Sequence, residues 1–291
     1  MKTCVNISVV LFSGILLLLS CQRNNSADQS GDQKKTTLPE WKKPAKIGFE
    51  LKNAKEWLQD STHTDLEKEI VYAVNRTDKA NFRKMDTIVV PVDLSGDLVY
   101  YLPFPLEVPY LREIDKIVLF SYPTQTFAAY ENGILIRTGP TNMGRQKDPT
   151  PTGLFFANWK AKKTISTVND EWELKWNFNI ENKQGIGWHQ YTMPGFPASH
   201  SCLRLTENDA KFLFNWADKW VLEDKSTVLV KGTPVIVFGT YDFKGEKPWR
   251  RLVRDPHALD LSKEELETIV SPYKERVLSE QQKRKEYNAN R

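Results

Sequence analysis

From residue 116 to about residue 243 the chain is built of short apolar runs separated by turn residues, a pattern that restricts it to a mainly β fold. Lys116-Ile-Val-Leu-Phe-Ser-Tyr122 reads as one strand. Residues 126–130 and 134–138 flank Glu131-Asn132-Gly133. Asn-Gly between two apolar runs signals a β-hairpin, because both turn positions need positive φ. Residues 153–157, 227–230 and 234–238 are further strands. One helix interrupts them. Residues 207–220 put Ala210, Leu213, Phe214, Ala217 and Val221 on one face, with Thr206 as N-cap and Asp209 completing a variant capping box. The fold class is mainly β with flanking helices, β-sandwich-like, with a small mixed N-terminal extension and a C-terminal helix.

The flanks differ in kind. Residues 1–20 start with Lys2 and continue as a largely apolar run, too short for a membrane span and right for a secretory signal. Leu18-Leu19-Ser20-Cys21 resembles a bacterial lipobox, which implies cleavage before Cys21 and lipidation of that residue. Two or more acyl chains hold a protein stably at a bilayer where one does not. The expected location is therefore exported and membrane-anchored, facing the periplasm. Gln22 rather than Asp after the cysteine leans toward the outer membrane. Residues 21–46 are polar and read as a flexible tether. Residues 47–115 form a mixed extension with helical spacing at 53–58 and 66–74. Its stretch Val74-Asn-Arg-Thr-Asp and Asp86-Thr-Ile-Val-Val-Pro91 weakly resembles the second half of a LysM module. Residues 244–291 are a polar tail, with Ser262-Lys-Glu-Glu265 as a capping box and Pro272 dividing a solvated helix. The net charge of +4 on 291 residues is too small to argue for nucleic acid.

The three cysteines sort by position. Cys4 leaves with the signal, Cys21 carries lipid, and Cys202 remains alone in a compartment where disulfides form. A lone thiol there invites oxidation unless it has a use. Two of the four histidines, His189 and His200, precede it closely. A thiol nucleophile needs a base for its proton and donors for the charge that follows. Residues two apart on a strand face one side, so either histidine could serve. The backbone N–H groups of Ser201 and Cys202 are candidate oxyanion donors. Arg204 holds a substrate carboxylate or braces the loop, with Asp209 as a possible partner. Trp159, Trp172, Trp176 and Trp188 precede the site, as core or as a groove wall.

Ser199-His200-Ser201-Cys202-Leu203-Arg204-Leu205, preceded by Pro194-Gly195-Phe196-Pro197-Ala198, resembles the signature of the L,D-transpeptidase (YkuD-like) catalytic domain. Gln125 to Gly133 resembles that family's opening hairpin, and Thr138 to Gly144 with Thr150-Pro151-Thr152-Gly153 its following stretch. The resemblance spans roughly residues 116–241. It implies that Cys202 is the nucleophile, that His189 is the base with its ring oriented by the Gln190 carbonyl, that His200 lines the cysteine, and that no cofactor or metal is used. Ser199 is a site hydrogen-bonding residue or an ordinary turn serine. Ser201 departs from the family's usual Gly, which puts rate and substrate shape in doubt more than reaction type.

The implied reaction is transpeptidation on peptidoglycan stem peptides through a thioester, giving 3–3 cross-links or attachment to another amine. Hydrolysis on the same scaffold, as a carboxypeptidase or endopeptidase, uses the same residues. A non-catalytic wall-binding lipoprotein is the alternative outside enzymology. A zinc site of His189, His200 and Cys202 lacks the usual spacing and a fourth ligand.

Overall fold

The structure, a computed structural model, describes residues 38–166 and 172–291. The signal segment, Cys21 with its expected lipid, and most of the tether lie outside the described residues.

The centre is one mixed sheet of nine strands. In chain order these are β3 (Ile117–Ser121), β4 (Thr126–Glu131), β5 (Ile134–Asn142), β6 (Gly153–Phe156), β7 (Lys160–Ile165), β8 (Glu173–Glu181), β9 (Ile186–Gln190), β10 (Leu203–Leu205) and β13 (Pro234–Phe238). Their spatial order is β6-β13-β3-β4-β5-β10-β9-β8-β7. Two pairs are parallel, β13 with β3 and β10 with β9; the rest are antiparallel. The sheet curls, which gives the sandwich-like character expected, though its strands are continuous rather than split into two sheets. A separate short pair is β11 (Val221–Leu222) with β12 (Val228–Val230).

The central strands are apolar without alternation because both faces are covered. Val118 and Phe120 of β3, Phe127 and Ala129 of β4, and Val235 and Val237 of β13 enter one core. That core is closed by α4 (Glu207–Trp216) through Ala210 and Leu213. Ile117, Leu119, Ala128, Tyr130 and Ile236 enter the opposite core. There they meet Leu266 and Val270 of α5 (Lys263–Val270) and Val277 of α6 (Lys274–Ala289). The Asn132-Gly133 turn has φ of 49° and 78°, as the hairpin requires. A Cβ on Gly133 would come within 2.6 Å of the Val108 carbonyl.

Two expectations about helices need adjustment. Helix α4 ends at Trp216, with Ala217 as an extended C-cap, rather than running to residue 220. The C-terminal helices are polar in composition but docked rather than merely solvated. Gln281 donates to the Glu113 carbonyl and accepts from Asp115 N–H, while Arg284 donates to the carbonyls of Lys219 and Lys231.

The N-terminal extension has strands at both ends and helices between. These are β1 (Phe49–Asn53), α1 (Ala54–Gln59), α2 (Asp65–Val74), α3 (Lys79–Phe82) and β2 (Thr87–Pro91). Strands β1 and β2 pair antiparallel, Leu51 opposite Val89. Helix α2 starts at a full Thr64–Glu67 capping box and buries Ile70, Val71 and Val74. The extension grips the central domain where the functional residues lie: Thr77 bridges to Pro194, and Asp78 N–H donates to the Met193 carbonyl.

Candidate active site

The parallel pairing of β9 with β10 sets Leu203 opposite Trp188 and Arg204 opposite His189. Trp188 and Leu203 point into the core and are fully buried. By the alternation of strand side chains, His189 and Arg204 project to the other face. There a narrow cleft of ≈ 20 Å³ is lined by Ser166, Trp172, Leu174, His189, Tyr191, Ser199, His200, Cys202 and Arg204. The pairing thus brings together residues separated by the 191–202 loop.

Cys202 is partly exposed and free of any disulfide. Burial pushes its thiol up from the ordinary range, with a backbone hydrogen bond and Arg204 opposing. His189 is 4% exposed. Its Nδ1 lies 3.0 Å from the Gln190 carbonyl oxygen, which can only accept, so Nδ1 carries the proton and Nε2 is the free base. Burial holds His189 down at about 4, partly offset by the Gln190 bond. The resting pair near neutral pH is therefore thiol and neutral imidazole, not thiolate and imidazolium.

His200 sits differently. Its Nε2 is 3.9 Å from Asp148 Oδ2, its ring leans on Trp172 at 5.3 Å, and its Nδ1 is buried without a partner among the described residues. Burial lowers its pKa first, and Arg145 second. His200 and Cys202 are not on a strand, as the two-apart argument assumed. Both precede β10, and Ser201 between them has φ +74°. That left-handed backbone explains the preference for glycine there. A non-glycine residue in it costs about 1–2 kcal/mol. Ser201→Gly is expected to raise unfolding free energy by up to about 1 kcal/mol, since glycine's extra unfolded-state entropy offsets part of the relief. Urea denaturation midpoints at unchanged slope check this; a loss of stability would mean that the 3.3 Å bond from Ser201 Oγ to the Asp148 carbonyl outweighs the strain.

Arg204 braces the loop, and through carbonyls rather than an acid. Its Nη1 donates to Thr192 O and its Nη2 to Ala198 O, both at 3.2 Å, and its guanidinium lies 4.6 Å from the Tyr191 ring centre. Asp209 is not its partner. That carboxylate is buried against Arg137 at 2.7 Å and also accepts from Thr206 Oγ. Of the four tryptophans, Trp172 lines the cleft. Trp188 is core, Trp176 packs against the core, and Trp159 is 38% exposed. Ser199 lines the cleft, and its backbone is locked by Met143 O and Arg145 N–H.

Several supporting residues were not singled out from the sequence as part of the site. Asp78 Oδ2 accepts from Met193 N–H at 2.7 Å and from Thr192 Oγ at 2.8 Å, while Thr77 Oγ donates to Met193 O. Asn142 holds the backbone at Phe196 and Ala198. Thr150 Oγ donates to the Ser201 carbonyl at 2.9 Å. Asp78 links the extension to the loop that ends at Cys202. Asp78→Ala is expected to cost about 2 kcal/mol, since hydrogen bonds to a charged group are worth about 1.5–3 kcal/mol each and this carboxylate is only part-buried. It should also slow acylation of Cys202 by about tenfold. Unfolding and acylation measured on one preparation check both; an unchanged acylation rate would remove the extension from any role in shaping the cleft.

Among the described residues no group of three or more His, Cys, Asp or Glu side chains could hold a metal ion. Residues 115–237 match the YkuD family model, described as the L,D-transpeptidase catalytic domain. No curated protein matches the chain. Among solved structures it is similar to an L,D-transpeptidase from Stackebrandtia nassauensis, at 24% identity over 44% of this chain and 57% of that one, with a TM-score of 0.36. It is also similar to L,D-transpeptidase 1 of Mycobacterium tuberculosis (22%, 43% and 63%, TM-score 0.33) and to an L,D-transpeptidase from Mycobacterium smegmatis (20%, 43% and 59%, TM-score 0.34). The chain covers less than two thirds of each of these proteins.

Proposed function

We propose that this chain is a cysteine-dependent L,D-transpeptidase acting on peptidoglycan stem peptides. The observation that carries the reading is one cleft holding a partly exposed thiol and a buried neutral imidazole whose Nδ1 is bound to the next residue's carbonyl. A neutral thiol is a weak nucleophile, with only a few per cent thiolate at pH 7 even at its free pKa. Burial of Cys202 lowers that fraction further. The proton must therefore leave as the sulfur attacks.

In the reaction proposed, His189 Nε2 takes the thiol proton while Sγ bonds to the carbonyl carbon of the third, L-centred stem residue. The carbonyl electrons move to oxygen, where the N–H groups of Ser201 and Cys202 receive the charge; such donors are worth about 10²–10³ in rate. The tetrahedral adduct collapses, the bond to the terminal D-alanine nitrogen breaks, and His189 returns the proton to that amine. A second amine then attacks the thioester and releases Cys202, giving a 3–3 cross-link when it comes from a neighbouring diamino-acid side chain. Arg204 and Ser199 shape the loop, and His200, with Asp148 behind it, lines the cleft beside Trp172. Delivery by a signal peptide and a lipid on Cys21 would keep the domain within tether reach of an insoluble polymer.

Incubation of the enzyme with disaccharide-tetrapeptide and mass analysis of the products tests this reading. Cross-linked dimer with release of D-alanine is expected. Tripeptide monomer alone would make the protein an L,D-carboxypeptidase, and unchanged substrate would leave a non-catalytic wall-binding protein.

A further inference from the structure

A second depression borders the loop that ends at Cys202. This open groove, of ≈ 500 Å³, is lined by residues between 81 and 87 of the N-terminal extension, by Pro194 and Phe196, and by Lys247 and Arg250. It shares no lining residue with the catalytic cleft. One loop serves both. Arg204, in the cleft lining, donates to Thr192 O and Ala198 O, and Pro194 and Phe196, between those two carbonyls in the chain, line the groove. The three walls meet at Gly195: a Cβ there would lie 3.7 Å from Lys247 Nζ and 3.8 Å from Met85 Cε.

The groove is cationic. Lys84 and Arg250 are exposed, and neither side chain has an acceptor among the described residues. Lys247 is half-buried, yet its Nζ is not sealed from solvent and has no acceptor among the described residues either. Burial lowers the Lys247 ammonium first and Arg250 second, with no carboxylate in opposition. Its Nζ lies 5.8 Å from the Phe196 ring centre. Asp86, exposed, is the acid among the lining residues. Three cations against one carboxylate leave a net positive field that attracts anions. Phe196 is 49% exposed, and Met85 and Pro194 extend its apolar surface. Unpaired cations around an open aromatic suit a ligand that carries both carboxylates and hydrocarbon. The volume falls within the range of small-ligand sites, about 300–1,000 Å³.

We infer that this groove holds an acidic stem peptide of the wall polymer, its carboxylates on Lys84, Lys247 and Arg250 and its aliphatic part on Phe196 and Met85. The identity of the polymer rests on the stem-peptide reaction proposed above; the preference for carboxylates rests on the groove alone. The stem held here is not the one being cleaved. A polymer repeats its stems, so one can occupy the groove while another enters the cleft, and the second engagement becomes intramolecular. The groove then raises affinity for the polymer and leaves the chemistry on a single stem unaltered.

Co-sedimentation of the full chain carrying Cys202→Ala with insoluble peptidoglycan reads the groove without turnover. Adding Lys84→Glu with Arg250→Glu should weaken retention about tenfold at low ionic strength, and the loss should shrink as salt screens the charges. Asp86→Asn should strengthen retention about twofold, a gain that misfolding cannot mimic. On glycan stripped of its stem peptides, the difference between the parent and the double charge reversal should vanish. With Cys202 intact, turnover of soluble disaccharide-tetrapeptide should be the same with and without the charge reversal. Failure of every protein to turn over that substrate would refute the transpeptidase reading, while retention on the polymer would still decide the groove. Equal retention of parent and charge reversal, no gain from Asp86→Asn, a difference that persists on stripped glycan, or a joint loss of single-stem turnover would overturn the inference.

Discussion

His189→Gln is expected to slow acylation of Cys202 by about 10³-fold, while His200→Gln costs no more than about tenfold. General-base catalysis contributes roughly 10²–10⁴. The upper half of that range applies because the thiol, raised by burial, offers little thiolate of its own. Glutamine keeps the approximate size of the ring and removes the basic nitrogen. His200 leans toward Asp148 and Trp172 and acts through shape and charge. Single-turnover formation of the acyl-enzyme, followed by mass, separates this step from later transfer. A larger loss from His200→Gln than from His189→Gln would exchange their roles.

The protein is also expected to lose about 3 kcal/mol of stability from His189 alone as pH falls from about 6.5 to about 4. The sign follows from proton uptake. Unfolded His189 takes a proton near its ordinary 6.5, whereas the folded residue waits until about 4. Between those values the unfolded chain binds more protons, so acidification favours it. Below about 4 both states are protonated and this contribution levels off. Urea unfolding of wild type and His189→Gln at pH 7 and pH 4.5 isolates the effect, because other carboxylates and histidines are common to both. The gap between the two proteins should narrow or reverse at the lower pH; a gap independent of pH would place His189 in a solvated site. The same depressed value moves the acid limb of acylation toward pH 4 and away from the 6.5 of a free imidazole.

Most of the central sheet was legible because its strands are continuous apolar runs ending at turn residues. Residues 117–121 and 234–238 have no polar interior, and Asn132-Gly133 specifies its own turn. Strands β7 to β10 were not read: the edge strand Lys160–Ile165 carries three lysines at partly or fully exposed positions, and Glu173–Glu181, one strand in, interrupts its buried stretch with two asparagines and starts and ends on glutamate. Strand β1 was missed for a similar reason: of Phe49–Asn53, Phe49 alone is buried. Within the site, Cys202, His189 and the Gln190 carbonyl could be read because they are close in the chain and match a family pattern. The Asp78 clamp could not, since it spans more than a hundred residues and depends on a fold contact that leaves no local trace. The Arg137–Asp209 pair was misassigned to Arg204 because proximity in sequence does not show that β5 passes beneath the start of α4. Ser201 shows how a departure from a family pattern acquires meaning only from its backbone angle.

The central claim is that Cys202 is a nucleophile primed by a neutral imidazole. Intact mass of the full chain, with and without a carbapenem, tests it most directly when run beside Cys202→Ala. The account predicts one covalent adduct on the wild-type protein and none on the variant. Equal labelling of both proteins, or an unlabelled wild type that is folded by circular dichroism, would contradict it.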